Sequence, residues 1–258
     1  MTDDTGARTL SVDIGGSGIK ALVLDGRGEP LTERTREPTP IPATPAAVLD
    51  LVERLAALHG TFDRVSVGFP GVVREGTTWT AHNLDDAWIG FPLAGALAER
   101  LRAPVRVLND ADMQGFAAID GRGVELVLTL GTGFGSALFV DGMLVPNLEL
   151  AHHPFRKRRT YEEVLGDAAR RAAGAQKWNR RLDEALAQLD RLFSYDVVHL
   201  GGGNAKHARI EPSARVRLVP NIAGLLGGIA CWRAGHRSTD DGRAETGIRA
   251  GSRTPGPQ

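Results

Sequence analysis

The chain has 258 residues, room for two small domains or one large one with a substantial core. Hydrophobic residues make up 42% and charged residues 24%, as in an ordinary globular protein, and Lys+Arg equal Asp+Glu at 31 each, so overall charge points to neither nucleic acid nor an anionic membrane. The single Cys231 excludes an intramolecular disulfide and a multi-cysteine zinc site, and with no membrane-length apolar run and no signal-peptide pattern at the start, the expectation is a soluble cytoplasmic protein.

The stretch from Leu10 to Leu24, Leu-Ser-Val-Asp-Ile-Gly-Gly-Ser-Gly-Ile-Lys-Ala-Leu-Val-Leu, reads as strand, tight turn, strand. Its glycines let a ligand approach the backbone, and Ser17 with free N–H groups can cradle phosphate oxygens. Asp13, where the first strand ends, is placed to hold a metal or an activated water; an ordinary hairpin with a polar tip is the plainer reading. A proline-rich connector at 38–45 follows, then a helix opened by Thr44-Pro45 and closed by Gly60, with Val48, Leu51, Val52, Leu55 and Ala56 at helical spacing. Residues 65–73 read as a buried strand entering a Gly-Pro turn, 80–88 as a polar loop holding Asn83 and Trp88, 92–101 as an amphipathic helix, and 105–108 as a short strand ending at Asn109-Asp110, with a helix on to Ala118. A carboxylate there can take the proton of an attacking hydroxyl, and the neighbouring amide can hold an adjacent hydroxyl; both residues also suit a helix cap. Asp112, in the helix first turn, reads as structural.

Residues 127–140 repeat the first design: strand, Gly131-Thr132-Gly133 turn, strand. Two phosphate-type hairpins, one opening each half of the chain, resemble the pattern of the sugar kinase, Hsp70 and actin superfamily. Residues 146–154 read as an irregular loop whose Glu149 and His152 could grip vicinal hydroxyls. Residues 161–173 and 178–193 read as helices, with Glu162 or Glu163 able to reach a hydroxyl. Residues 197–204 read as a strand entering the turn Gly201-Gly202-Gly203-Asn204 at a helix N-terminus, open to a nucleotide or a polyanion. A last strand at 216–219 and a Gly/Ala-rich helix at 221–232 precede a polar tail, 236–258, expected to be disordered. Arg156, Lys157, Arg158 and Arg159, with Arg170, Arg171, Lys177, Arg180 and Arg181, make a local positive excess that is either a solvated face or a track for a polyanion longer than a nucleoside triphosphate.

As a set, the segments 13–20, 68–71, 109–112, 130–137, Glu149-Leu150-Ala151-His152 and 201–203 resemble the ROK (repressor, open reading frame, kinase) sugar kinases, particularly the polyphosphate glucokinase-like branch. The resemblance covers nearly the whole chain to about Trp232. It implies an α/β, actin-like ATPase, ribonuclease H-like two-domain fold with the site in the interdomain cleft, the domains being 1–117 and 118–235. It implies phosphoryl transfer from polyphosphate or ATP to the 6-hydroxyl of glucose, with Asp110 as general base. Sugar binding would fall to Asn83, Asn109, Glu149, His152 and Glu162. Donor phosphates would fall to Asp13, Gly15, Gly16, Ser17, Gly18, Lys20, Gly131, Thr132, Gly133, Gly202 and Gly203, with Asp13 acting on Mg²⁺ through water and no structural zinc. Another hexose (fructose, mannose or an N-acyl hexosamine) and a catalytically silent sugar sensor are the alternatives. The resemblance further implies a homodimer without nucleic-acid or membrane partners. Ala151 replaces the family's usual glycine, which would matter if that residue needed a positive φ.

Overall fold

The computed structural model describes residues 6–81, 84–210, 215–220 and 223–232. Asn83 and the tail 236–258 lie outside them. The first lobe holds β1 (Thr9–Ile14), β2 (Ile19–Leu24), β3 (Thr35–Glu37), α1 (Pro45–His59), β4 (Arg64–Phe69), the short hairpin β5 (Val73–Arg74) and β6 (Thr77–Thr78), α2 (Leu93–Leu101), β7 (Val105–Asn109) and α3 (Asp110–Phe116). The second holds β8 (Val124–Leu130), β9 (Phe134–Val140), β10 (Met143–Val145), the hairpin β11 (Pro154–Arg156) and β12 (Arg159–Thr160), α4 (Tyr161–Leu165), α5 (Asp167–Ala173), α6 (Ala175–Phe193), β13 (Val197–Gly201), β14 (Val216–Leu218) and α7 (Ala223–Leu226).

Each lobe is built on one five-stranded sheet, in the order β3-β2-β1-β4-β7 and β10-β9-β8-β13-β14. The two are the same design. In each, an antiparallel hairpin (β1–β2, β8–β9) carries a glycine loop, and a parallel strand (β4, β13) lies beside its first strand. Parallel pairing needs crossover connections, which α1 and α4–α6 supply. The hairpins form because β-branched and aliphatic residues flank glycines: Leu10, Val12 and Ile14 bury one face of β1, while Leu126, Leu128 and Leu130 do so on β8. Thr44 caps α1 by accepting from Ala47 N, Pro45 sits in its first turn, and Gly60 at φ 77° ends it. Trp88 is fully buried against Phe69 and donates its indole N–H to Ala43 O at 2.8 Å, so it anchors the core.

Three expectations differ from the structure. The helix expected over 221–232 is, among its described residues, the short α7, Ala223–Leu226, followed by a 3₁₀ segment, Gly227–Trp232. The helix expected over 161–173 breaks at Gly166 (ψ 169°), because Asp167 N instead donates to Gly131 O and Thr132 O of the second glycine loop. The glycine turn after β13 leads not into a helix but into a single 3₁₀ turn, Ala205–His207. Asn179 of α6 draws the chain away there, donating to His207 O at 3.1 Å and accepting from Arg209 N at 2.6 Å. Ala151 lies in the 3₁₀ turn Leu150–His152 without a positive φ, so the alanine costs no backbone strain.

The last described segment returns to the first sheet. Ser11 donates to Leu225 O and Ser66 to Gly228 O, each at 2.7 Å, and Leu225 and Ile229 pack on Leu22 and Leu24. Between the sheets, α3 crosses β9 so closely that a Cβ on Gly115 would overlap the ring of buried Phe139. Gly115→Val is therefore expected to cost about 2 kcal/mol through overpacking, lowering Tm by about 4–8 °C in a scanning calorimeter.

Candidate active site

The two glycine loops face each other across a cleft of about 600 Å³. Every sequence-predicted site residue lines it except Asn83, which lies outside the described residues. In the first hairpin, β register sets Asp13 opposite Lys20, and the Lys20 ammonium reaches the Asp13 carboxylate at 2.6 Å. Gly15 N closes the loop on Gly18 O at 3.1 Å, and Gly131 N closes its counterpart on Gly133 O at 3.2 Å. The third glycine turn is tied to the second loop: Asn204 donates from its backbone to Leu130 O and from its side chain to Gly131 O. Gly202, at φ 82°, sits where a Cβ would strike the Leu130 backbone, so no other residue fits.

Asp110 is the first residue of α3, half-buried at the end of β7 and open to the cleft. Burial, then the neighbouring charges of Asp13 and Glu149, push its carboxyl up to about 7. Asn109 does two jobs at once. Its carbonyl oxygen caps α3 by accepting from Ala111 N and Asp112 N, while its amide donates to Gly71 O at 3.1 Å and to Glu149 Oε1 at 3.4 Å. The cap is therefore what aims the amide into the site. Glu149 in turn lies 3.8 Å from His152 Nε2, and the loop carrying both is pinned by Ser136, which donates to Leu148 O and accepts from Leu150 N. These groups give the cleft a cluster of donors and acceptors suited to adjacent hydroxyls.

Glu162 and Glu163 separate cleanly. Glu163 makes a capping box with Thr160, and its side chain is spent on Thr160 N at 2.8 Å. Glu162 lines the cleft, where a Cβ on Gly133 would collide with its carboxylate, and it accepts weakly from Phe134 N at 3.4 Å.

Sequence reasoning missed Gln114, Asp167 and Lys206, which line the cleft; Arg170 and Arg171, counted in the sequence only within the basic excess, line it too. Gln114 is nearly buried, and its side-chain nitrogen has no hydrogen-bond partner. Asp167 is held low by hydrogen bonding to Arg170 and by the Arg171 charge, fixing a charged cluster beside Thr132. No motif marks Gln114, which reads as one polar residue in a short helix. The basic residues 156–159 do not reach the cleft.

Hard oxygen donors at Asp13, with room for phosphates and water beside it, suit Mg²⁺, which binds through one or two carboxylates and keeps several waters. Among the described residues no group of three or more His, Cys, Asp or Glu side chains could hold a metal by itself, so the ion's remaining ligands would come from phosphate and water. Among the described residues no helix is long and apolar enough to cross a membrane.

A model of the ROK family matches residues 9–146. The polyphosphate glucokinase of Mycobacterium leprae (strain TN) is 34% identical over 247 residues, covering 85% of this chain and 73% of the relative. The chain belongs to the ROK family. Among solved structures, an inorganic polyphosphate/ATP-glucomannokinase from Arthrobacter sp. strain KM matches with a TM-score of 0.80 at 34% identity, covering 87% of this chain and 98% of that one. A ROK family glucokinase from Streptomyces griseus, solved with glucose and AMPPNP, shares the fold with a TM-score of 0.72 at 20% identity, over 86% of this chain and 98% of that one. The paired sheets are those of the actin-like ATPase fold, and this ROK protein is a sugar kinase, a phosphotransferase with an alcohol acceptor.

Proposed function

We propose that the protein transfers the terminal phosphoryl group of inorganic polyphosphate or ATP to the 6-hydroxyl of glucose, with Asp110 as the general base. The observation that carries this reading is the placement of Asp110: half-buried, pushed up to about 7, set between two phosphate-type loops and beside the Asn109–Glu149–His152 cluster. The names of the M. leprae and Arthrobacter relatives support the choice of sugar and donor.

Asn109, Glu149, His152 and Glu162 hold the sugar's hydroxyls, leaving the 6-hydroxyl facing Asp110. That oxygen attacks the terminal phosphorus as the bridging P–O bond breaks; its proton passes to an Asp110 oxygen, and the shortened polyphosphate or ADP leaves. The N–H groups of Gly16, Ser17, Thr132 and Gly133 receive the donor's phosphates, while Gly15 and Gly131 shape the two loops and the turn at Gly202 and Gly203 continues that surface. Mg²⁺, held through water by Asp13, would offset the phosphate charge. Lys20, paired with Asp13 at 2.6 Å, adds a cation beside the phosphates.

Initial rates on glucose, mannose and N-acetylmannosamine with each donor test the reading. Glucose is expected to give the highest kcat/KM, and a preference for the N-acyl sugar would overturn the assignment. The two glutamates provide a finer check. Glu162→Gln is expected to raise the KM for glucose about tenfold, the loss of one charged hydrogen bond. Glu163→Gln should leave kinetics alone and cost no more than about 1 kcal/mol of stability.

A further inference from the structure

A second cavity, of about 490 Å³, lies outside the cleft, and its wall is almost entirely cationic. Arg156, Lys157 and Arg159 reach it from the β11–β12 hairpin; Lys177, Arg180 and Arg181 reach it from one face of the first turns of α6. Glu184 is the single acid on this wall, and Arg156 takes it up at 2.7 Å. Among the described residues no carboxylate pairs with Lys157, Lys177, Arg180 or Arg181. Like charges packed without counter-charges repel, so the arrangement costs stability unless an anion offsets it.

The hairpin adds a second observation. Its two loop residues, Lys157 and Arg158, both have positive φ (50° and 64°), in a two-residue turn where Asn-Gly would be the comfortable choice. Long cations stand there at a conformational cost. The first turn of α6 has no acidic residue, and Gly174 provides no side-chain cap, so the helix adds positive potential on the same side.

The position of this cavity relative to the active site decides what it fits. On α4, Glu162 faces the cleft while Val164, two residues on and so on the other side of the helix, lines the cationic cavity. The two cavities are thus separated by one short helix, about 10–12 Å across with its side chains. A nucleoside triphosphate seated in the cleft is too compact to occupy both. A linear polymer with one charge per repeat can leave the cleft past Arg170 and Arg171 and continue around α4.

We infer that this cationic pocket is a second binding site for the distal part of a long inorganic polyphosphate chain whose end is in the cleft. The inference rests on the polyphosphate reading of the donor. It makes the enzyme's use of polyphosphate depend on chain length, since tripolyphosphate and ATP reach only the cleft.

The test is the variant Lys177→Gln/Arg180→Gln/Arg181→Gln, compared with the unmodified protein in two assays. Binding of end-labelled long polyphosphate, read by anisotropy over a salt series, is expected to weaken at least about tenfold, with the slope of log affinity on log salt reduced by about two. In turnover, KM for long polyphosphate should rise about tenfold while kcat and KM with ATP and with tripolyphosphate stay unchanged. Tm close to that of the unmodified protein keeps folding out of the comparison, and Lys157→Gln/Arg159→Gln on the opposite wall should reproduce the effect. Unchanged binding of long polyphosphate in the variants overturns the inference. Equal losses on ATP also overturn it, and so does displacement of the labelled polymer by an RNA of matched charge at equal concentration. If the unmodified protein uses ATP and not polyphosphate, the donor reading fails, and the binding comparison still decides whether the pocket holds a polyphosphate.

Discussion

Asp110→Asn is expected to lower kcat by about a thousandfold, the range for removing a positioned general base, while glucose affinity in calorimetry changes no more than about threefold. The substitution is nearly isosteric and keeps a carbonyl oxygen for Ala111 N, which Asp110 Oδ1 now receives at 2.8 Å, so α3 should start as before. The proposed sugar contacts of Asn109 and Glu149 are untouched by the change and should survive. The pH profile gives a second reading with a definite sign. Burial and the charges of Asp13 and Glu149 raise the Asp110 carboxyl to about 7, and only its ionised form accepts a proton. The log of kcat/KM should therefore climb with pH below about 7 and level off above it. Glu149→Gln removes one of the two charges that hold the value up and should move this limb to lower pH.

Asp112→Asn is the second large effect, and it bears on stability. Asp112 is buried at 2% exposure; one oxygen accepts only from Asn147 N at 3.3 Å, and the other has no hydrogen-bond partner. Burial first, then the charges of Asp110 and Glu149, push it up to about 8, so at neutral pH it is a neutral acid. A carboxyl raised in the folded state holds more protons there than in the unfolded chain. The stability it confers is complete below the unfolded value and is lost as pH rises through about 8. The unmodified protein should thus lose a few kcal/mol between pH 5 and pH 9. Asp112→Asn, permanently neutral, should lose much less; Asp110 titrates in the same direction and leaves a residual slope. Tm measured across this range checks the sign, and a variant whose Tm falls as steeply as the unmodified protein's refutes it. The same residue bears on the cleft, because Asn147 also exchanges two hydrogen bonds with Val73 through its side-chain amide, joining the Glu149 loop to the first lobe.

Much of the fold was legible because local chemistry and tertiary structure agree. Asp13 and the glycines at 15, 16 and 18, flanked by aliphatic runs, can hardly be anything but a hairpin, and Thr44-Pro45 with Gly60 punctuate α1 at both ends. The cleft positions of Asp110, Glu149 and His152 were legible for a different reason: these residues stand at chain breaks, where a strand or turn ends and a side chain can face a cleft. What escaped depends on contacts distant in sequence. Gln114 faces the cleft only because Gly201 and Gly224, from two other elements, leave space beside its amide. Asp167 belongs to the site because the chain gives up a helical bond at Gly166 in favour of the second glycine loop. The return of residues 223–232 to the first sheet rests on hydroxyls of Ser11 and Ser66 reaching backbone carbonyls, for which no periodicity gives notice. The charges of Arg156, Lys157, Arg159, Lys177, Arg180 and Arg181 could be counted in the sequence, but only the packing of the β11–β12 hairpin beside α6 brings them around one cavity.

Phosphorus NMR of the protein with glucose, Mg²⁺ and long-chain polyphosphate, followed by the same mixture with ATP, bears most directly on the central claim. Glucose 6-phosphate is expected to grow in as the terminal phosphate signal is consumed, and Asp110→Asn should leave the spectrum unchanged over the same time. Phosphate on another sugar oxygen, turnover by Asp110→Asn at the unmodified rate, or no sugar phosphate from either donor would contradict the account.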